Sequence, residues 1–328
     1  MLSLALARRH DLLTRLAAEG TDCYRLFHGL SEGRAGLSID LYGRLLLVQT
    51  FREPLSSHEL GTIADLARSR IRRDVLVVWN HRAGWPREPF ERWHVPEPAA
   101  LEEQVVTELG VRYAIRARHR GQDPWIFLDL RAGRRILAGL APGKRVLNLF
   151  AYTGSAGVCA AAHGAGEVWN VDFARSSLDV ARRHAALNAL PPGVLREVCQ
   201  DVLPVVRQLA GLPVKGRGAS RAHQRFEPRS FDVVLLDPPA WSVGPFGAVD
   251  VERDYASLFK PALLATAPGG RVIATNHVAR VGADAWRASL VRTAEKCGRP
   301  LAALAVVGPE ADFPGDPPTL KIAVARLS

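Results

Sequence analysis

Val146-Leu147-Asn148-Leu149-Phe150-Ala151-Tyr152-Thr153-Gly154-Ser155-Ala156-Gly157 decides how the chain is read. A short apolar run reaches a turn of small residues and then enters a helix-forming stretch. The start of such a helix presents free backbone N–H groups. Gly154 lets the backbone approach a ligand closely; tight packing of helix on sheet is the equal alternative. The spacing is not G-x-G-x-x-G, so the dinucleotide fingerprint is absent.

Downstream, short apolar runs alternate with helical stretches. Arg145–Leu149, Glu167–Asp172, Leu195–Cys199, Phe231–Leu236, Arg271–Thr275, Leu301–Val307 and Leu320–Leu327 read as strands, with helices at Gly154–His163 and Ser176–Asn188. This rhythm predicts an α/β, Rossmann-like, doubly wound sheet, with ligands at the carboxyl ends of its strands. Leu212–Ser230 breaks the rhythm. It is polar and basic, and it reads as a surface insertion, either grazing RNA or simply solvated.

Upstream, leucines at helical spacing predict one amphipathic helix over Leu2–Ala18, ending at Gly20. Leu37–Asp40 and Leu45–Thr50 read as a hairpin, Ser57–Ile71 as a helix, and Val75–Trp79 and Val111–Arg116 as strands. Gly84–Pro98 reads as loop. The expected organisation is an N-terminal helix over 1–20, a small α+β domain over 21–120 and the α/β domain over 121–328, with the basic insertion at 212–230.

The chain has 328 residues and a formal net charge of +10. That balance favours an anionic partner, nucleic acid first; an Arg- and Ala-rich composition bias is the plainer reading. Arg112, Arg116, Arg118, His119, Arg120, Arg134 and Arg135 could neutralise phosphates or form a solvated surface. Cys23, Cys159, Cys199 and Cys297 show neither C-x-x-C pairing nor metal-ligand spacing. Reduced thiols, no metal and a cytoplasmic chain are expected. No secretory signal and no apolar run of membrane length stand out, so no membrane partner is expected.

Two further places carry chemistry. Asp172 ends its strand, where an acid can accept hydrogen bonds from both ribose hydroxyls of a nucleoside, or cap the next helix. Leu235-Leu236-Asp237-Pro238-Pro239-Ala240-Trp241-Ser242 places two prolines directly after a strand, which fixes a rigid turn and removes two backbone donors. Asp237 then stands at the strand tip, and Trp241 offers a stacking face for a base.

Taken in order, these motifs resemble class I S-adenosylmethionine (SAM)-dependent methyltransferases. In particular they resemble a branch of bacterial 23S ribosomal RNA methyltransferases. Gly121-Gln122-Asp123-Pro124-Trp125-Ile126-Phe127-Leu128-Asp129-Leu130-Arg131 is similar to the family's G-x-D-T-G-x-F-L-D-x-R, with Pro124-Trp125 replacing Thr-Gly. Asn148–Gly154 is similar to N-L-F-x-Y-T-G, Asp237–Ser242 to D-P-P-x-F-S, and Asp250–Tyr255 to D-x-x-R-D-[YH]. Thr21–Arg25 and Gly36–Gly43 look like the preceding small domain. The resemblance covers most of residues 20–328, without the RNA-binding PUA module of many relatives, which leaves RNA capture to the small domain.

The resemblance implies SAM as cofactor, held by Phe127, Asp129, Arg131, Asn148, Phe150, Tyr152, Thr153, Gly154, Asp172, Phe173, Asp201 and Asp237. It implies ribosomal RNA as partner, with Asp237, Pro238, Trp241 and Asn276 holding the base. Relatives that methylate cytosine C5 carry a cysteine just after the fifth core strand, where this chain has Ala274-Thr275-Asn276-His277. Guanine N7 has an in-plane lone pair and needs only alignment. The guanine-N7 branch carries Ser-Asn-Asn at this place, so guanine N7 is favoured. Methylation of an exocyclic amine or of cytosine C5 stays open. So do a non-catalytic ribosome-assembly factor and, on fold alone, an NAD-dependent oxidoreductase.

Overall fold

The computed structural model describes all residues except 73, 85–87, 120–123 and 215–222, and the Arg70 side chain. The chain forms two compact units, one of Met1–Arg131 with Glu310–Asp316, the other of Ala132–Pro309 with Pro317–Ser328. The anticipated boundary near Gly121 lies outside the described residues. The N-terminal helical segment belongs to the first unit rather than standing apart.

In the first unit α1 (Leu2–Arg8) and α2 (His10–Ala18) replace the single expected helix. The break falls at Arg9, which turns inward to pair with Glu32 at 2.6 Å and to donate to the Asp312 carbonyl. A four-stranded sheet follows, in the order β1 (Cys23–His28), β2 (Leu37–Tyr42), β3 (Leu45–Thr50), β4 (Leu76–His81). β3 and β4 are parallel, joined by α3 (Ser57–Ile71), whose Ser56–Glu59 capping box starts it where the sequence places it. β1 escapes the alternation test because a register shift between Arg25 and Phe27 breaks its period. A short helix α4 (Pro98–Leu101) leads into a hairpin of β5 (Gln104–Glu108) and β6 (Val111–Ile115). Leu109 and Gly110, both at positive φ, form its turn. A leucine at such a position gives no sequence signal, so β5 is not anticipated.

The first unit also holds a buried ionic cluster. Arg131 is fully buried between Asp312 (2.6 Å) and Glu310 (3.0 Å), and it donates to the Cys23 carbonyl. Burial would favour its neutral form, but Asp312, Glu108 and Glu310 outweigh that and hold its pKa above the ordinary value.

α5 (Arg131–Leu140) spans the boundary at Ala132, and the second unit then runs β7 (Arg145–Leu149), α6 (Ser155–Ala162), β8 (Glu167–Asp172), α7 (Arg175–Leu187), β9 (Leu195–Cys199), α8 (Val202–Leu209) and β10 (Phe231–Leu236). A hairpin of β11 (Trp241–Gly244) and β12 (Gly247–Asp250) then precedes α9 (Tyr255–Leu264), β13 (Thr266–Asn276), α10 (Ala283–Lys296), β14 (Leu301–Val307) and β15 (Lys321–Leu327). The main sheet has the order β14-β15-β13-β10-β7-β8-β9. The strands from β9 to β13 are parallel, and β15 is antiparallel to both its neighbours. This is the doubly wound α/β sheet that the alternation predicts, with one antiparallel strand inserted near its edge. The strand order reverses between β7 and β10, so the ligand crevice belongs at their carboxyl ends.

Part of the basic insertion is fastened down. Gln208 accepts from the Phe226 N–H and donates to the Gln224 carbonyl. Phe226 packs against Trp169, with the Arg196 guanidinium stacked 4.0 Å above the same indole. Residues 215–222 of that expected loop lie outside the described residues.

α6 sits unusually close to the sheet. A side chain on Gly157 would meet Asn170 Oδ1 at 2.0 Å, and one on Gly154 would meet Ala181 Cβ at 2.6 Å. We therefore expect G157A to lower the stability of the second unit by about 3 kcal/mol in urea unfolding. G139A, where a methyl group on α5 meets nothing, should be neutral or stabilising by roughly 0.5–1 kcal/mol. Equal behaviour of the two variants would contradict this packing.

Candidate active site

The turn after β7 is wound tightly. Phe150, Tyr152 and Gly154 have φ of 59°, 50° and 67°. Positive φ is costly for side chains that carry a Cβ, so something must hold them there. Asp172, at the tip of β8, does so. Its Oδ2 accepts from the Tyr152 N–H at 2.8 Å and its Oδ1 from the Ala174 N–H at 2.9 Å. Ala174 is the N-cap of α7, so Asp172 is not the cap. A carboxylate has about four acceptor positions. Two backbone donors leave room for ribose hydroxyls. Burial raises the Asp172 pKa, against the lowering pull of the Ala174, Tyr152 and Phe173 amides.

Asn148 is buried and donates to Asn170 Oδ1 at 2.9 Å, beneath the turn. Thr153 is also buried, with its carbonyl 3.1 Å from His184 Nδ1. Both support the turn from below. Phe150 and Tyr152 are half-buried, and Phe173 is 75% exposed beside Asp172. Gly154 is short of space because of Ala181 and Asn170, the packing alternative of the two readings.

Asp201 caps α8, accepting from the Leu203 N–H at 2.9 Å. Burial raises its pKa. The β11–β12 hairpin reaches it: a side chain on Gly244 would meet Asp201 Oδ2 at 2.7 Å. Pro238 and Pro239 feed this hairpin, which the sequence reading missed. Trp241 stands on β11, 67% exposed.

Asp237, at the tip of β10, accepts from the Thr275 hydroxyl and has His277 Nε2 3.1 Å from its Oδ1. Burial would raise its pKa, but His277, the Thr275 hydroxyl and Arg134 together hold it below the ordinary aspartate range. An ionised carboxylate can only accept, so the His277 Nε2 carries the hydrogen. Tyr255 closes the cluster from behind. Its buried hydroxyl donates to the Thr275 carbonyl at 2.8 Å.

Asn276 is not at the crevice surface. It is fully buried, and its Oδ1 accepts from the Val278 N–H in its own loop. Neighbouring strand residues point to opposite faces, so the position that reaches Asp237 belongs to His277. A histidine two residues beyond a strand threonine, with an acid ending the adjacent strand, is a signal that could have found it. Phe127, Asp129 and Arg131 lie in the first unit. Phe127 is exposed and Asp129 half-buried, whereas Arg131 is engaged by the Glu310 and Asp312 carboxylates.

Within the second unit three carboxylates, Asp172, Asp201 and Asp237, therefore follow the tips of β8, β9 and β10, with Phe150 and Phe173 nearby. Acceptors and apolar faces suit a cationic nucleoside with free hydroxyls and an amine. They would repel a pyrophosphate. That donor set fits SAM and not a dinucleotide. Among the described residues no cluster could hold a metal, and no helix is long and apolar enough to cross a membrane.

We expect D172N to weaken SAM binding by roughly 10–100-fold in calorimetry, the worth of a charge-assisted hydrogen bond. Because burial raises the Asp172 pKa, it takes up its proton at a higher pH than a free aspartate. Affinity should be full above that value and fall as the pH drops through it, beginning at a higher pH than a free aspartate would give. A pH profile of D172N that declined in parallel with wild type would remove Asp172 from the site.

The family model for S-adenosylmethionine-dependent methyltransferases matches residues 24–298. A ribosomal RNA large subunit methyltransferase of Deinococcus radiodurans is 31% identical over 91% of this chain and 70% of its own length. A ribosomal RNA large subunit methyltransferase K/L of Allochromatium vinosum is 31% identical over 81% of this chain but only 35% of its own length. In fold, a methyltransferase solved in complex with SAH superposes with a TM-score of 0.78 over 99% of this chain and 80% of that one, at 23% identity. The carboxylates at the strand ends about the switch point and these likenesses agree: the chain belongs to the S-adenosylmethionine-dependent methyltransferases, and SAM is its cofactor.

Proposed function

We propose that this enzyme methylates a base of large-subunit ribosomal RNA, with guanine N7 as the acceptor. The observation that carries the reading is the Asp237 cluster at the tips of β10 and β13, beside an exposed Trp241. The relatives named as large-subunit RNA methyltransferases support the substrate class, and the net charge of +10 suits a polyanion.

SAM supplies an electrophilic methyl group on a sulfonium. Asp172 and Asp201 hold and orient the nucleoside end, and the tight turn after β7 walls one side. Trp241 stacks a base drawn out of its helix. Methylation at N7 leaves the purine positively charged. Asp237, kept ionised by its neighbours, is a fixed negative charge available where that positive charge develops. His277 and Thr275 hold the carboxylate still, so it needs no reorganisation.

The cysteines support direct attack. Within the second unit, Cys159 is buried in α6 and Cys297 follows α10. Cys199 ends β9, three strand positions from β10, or about 14 Å at the usual strand spacing. None stands at the tip of β10 or β13 to add to cytosine C6.

Methyl transfer from labelled SAM to rRNA of a strain lacking this gene should yield 7-methylguanine by nucleoside mass spectrometry. A 5-methylcytosine product would overturn direct attack. A methylated exocyclic amine would reassign Asp237 as acceptor of the N–H bond. D237N should reduce kcat by about 10²-fold. Its SAM affinity should change by less than tenfold, and a D237N enzyme at full speed would place the chemistry elsewhere.

A further inference from the structure

Away from the crevice, α9 and α10 pack side by side and leave a groove of about 290 Å³ between them. α9 contributes Ala256 and Lys260, one turn apart. α10 contributes Ser289, Arg292, Thr293 and Lys296, at the spacing that puts residues on one face. Three cations thus converge on one concavity, and no carboxylate lines it. Several surface arginines of the second unit are paired, as Arg182 is with Asp179, Arg229 with Glu167 and Arg280 with Glu252. Among the described residues, Lys260, Arg292 and Lys296 meet no acid. Like charges gathered without a counterion repel one another, and an anion lying in the groove relieves that repulsion.

We infer that the α9–α10 groove is a second RNA contact, binding backbone phosphates of the same RNA whose base enters the crevice. The inference rests on the RNA reading of the active site. The chemistry is sequence-blind: two ammonium groups and a guanidinium neutralise phosphates, and the Ser289 side chain can add a hydroxyl contact. The groove belongs to the helices that carry the chain into and out of β13, the strand that ends at Thr275–Asn276. Arg292 and Lys296 stand roughly 14–20 Å along α10 from its start near the end of β13, at 1.5 Å per residue, so the groove would meet RNA flanking the base rather than the base itself.

The test compares wild type with K260Q/R292Q/K296Q and with K144Q/R271Q/R326Q. The second set removes the same charge at Lys144, just before β7, and at Arg271 and Arg326, which are register partners of β13 and β15. Equilibrium binding to a large-subunit rRNA fragment is measured across salt, with methyl transfer and SAM affinity alongside. The groove variant should lower the log–log salt slope by about 2, as expected for loss of two or three phosphate contacts. It should raise KM for RNA roughly tenfold, with kcat and SAM affinity unchanged. The control set should move KM by less than threefold. A groove variant within twofold of wild type overturns the inference, and so do equal losses in both sets, which would mean undirected charge. Wild type that binds rRNA without methylating it would refute the proposed reaction, while the salt slopes still decide the groove. Wild type that binds no RNA would refute both.

Discussion

The seating of α6 on the sheet at Asn170 is the constraint from which the crevice follows. Gly154 and Gly157 leave no room for a methyl group there, and Asn170 in turn accepts from Asn148 on the neighbouring strand. With the helix so close, the chain leaving β7 has little length in which to turn. It does so through left-handed conformations at Phe150, Tyr152 and Gly154. Such conformations persist only when overdetermined. The Asp172 bond to the Tyr152 amide is one determinant, and the Thr153 carbonyl contact with His184 is another. The same Asp172 ends β8, one strand from the switch point, so the carboxylate that braces the turn stands where the proposed nucleoside would lie.

Electrostatics divide the second unit. A chain of net charge +10 gathers carboxylates at its crevice and unpaired cations on the α9–α10 face. The acidic crevice suits a sulfonium and hydroxyl groups, and the basic face suits phosphates. The first unit uses charge differently. Arg9 and Arg131 are buried against Glu32, Glu310 and Asp312. Removing one partner of such a cluster strands a charge away from water, which typically costs 3–5 kcal/mol. The segment that supplies Glu310 and Asp312 arrives from between β14 and β15, so residues distant in sequence must be in place before the first unit is complete.

Much of this was legible in the sequence because the signals are local. The β7 turn, Asp172 and the Asp237-Pro238-Pro239 stretch each occupy a few consecutive residues, and period alone located the core strands. What was missed depends on phase or on distant partners. Asn276 and His277 differ by one position, and the strand's alternation sends the first inward and the second towards Asp237. The acids that pair with Arg131, Glu310 and Asp312, stand nearly 180 residues later, so no local signal announces them. Arg9 splits a helix whose leucine spacing runs through unbroken, because its side chain finds Glu32. The β11–β12 hairpin follows two prolines that mark a turn but not what comes after it.

The central claim is that a SAM nucleoside is held at the switch point by the carboxylates after β8 and β9, with its sulfur end towards Asp237. A crystal structure with S-adenosylhomocysteine tests it most directly. The account predicts the ribose hydroxyls on the Asp172 carboxylate, the adenine near Asp201, and the sulfur on the Asp237 side of the β7 turn. A nucleoside bound with Asp172 contacting only the Tyr152 and Ala174 amides, and its sulfur remote from Asp237, would contradict it.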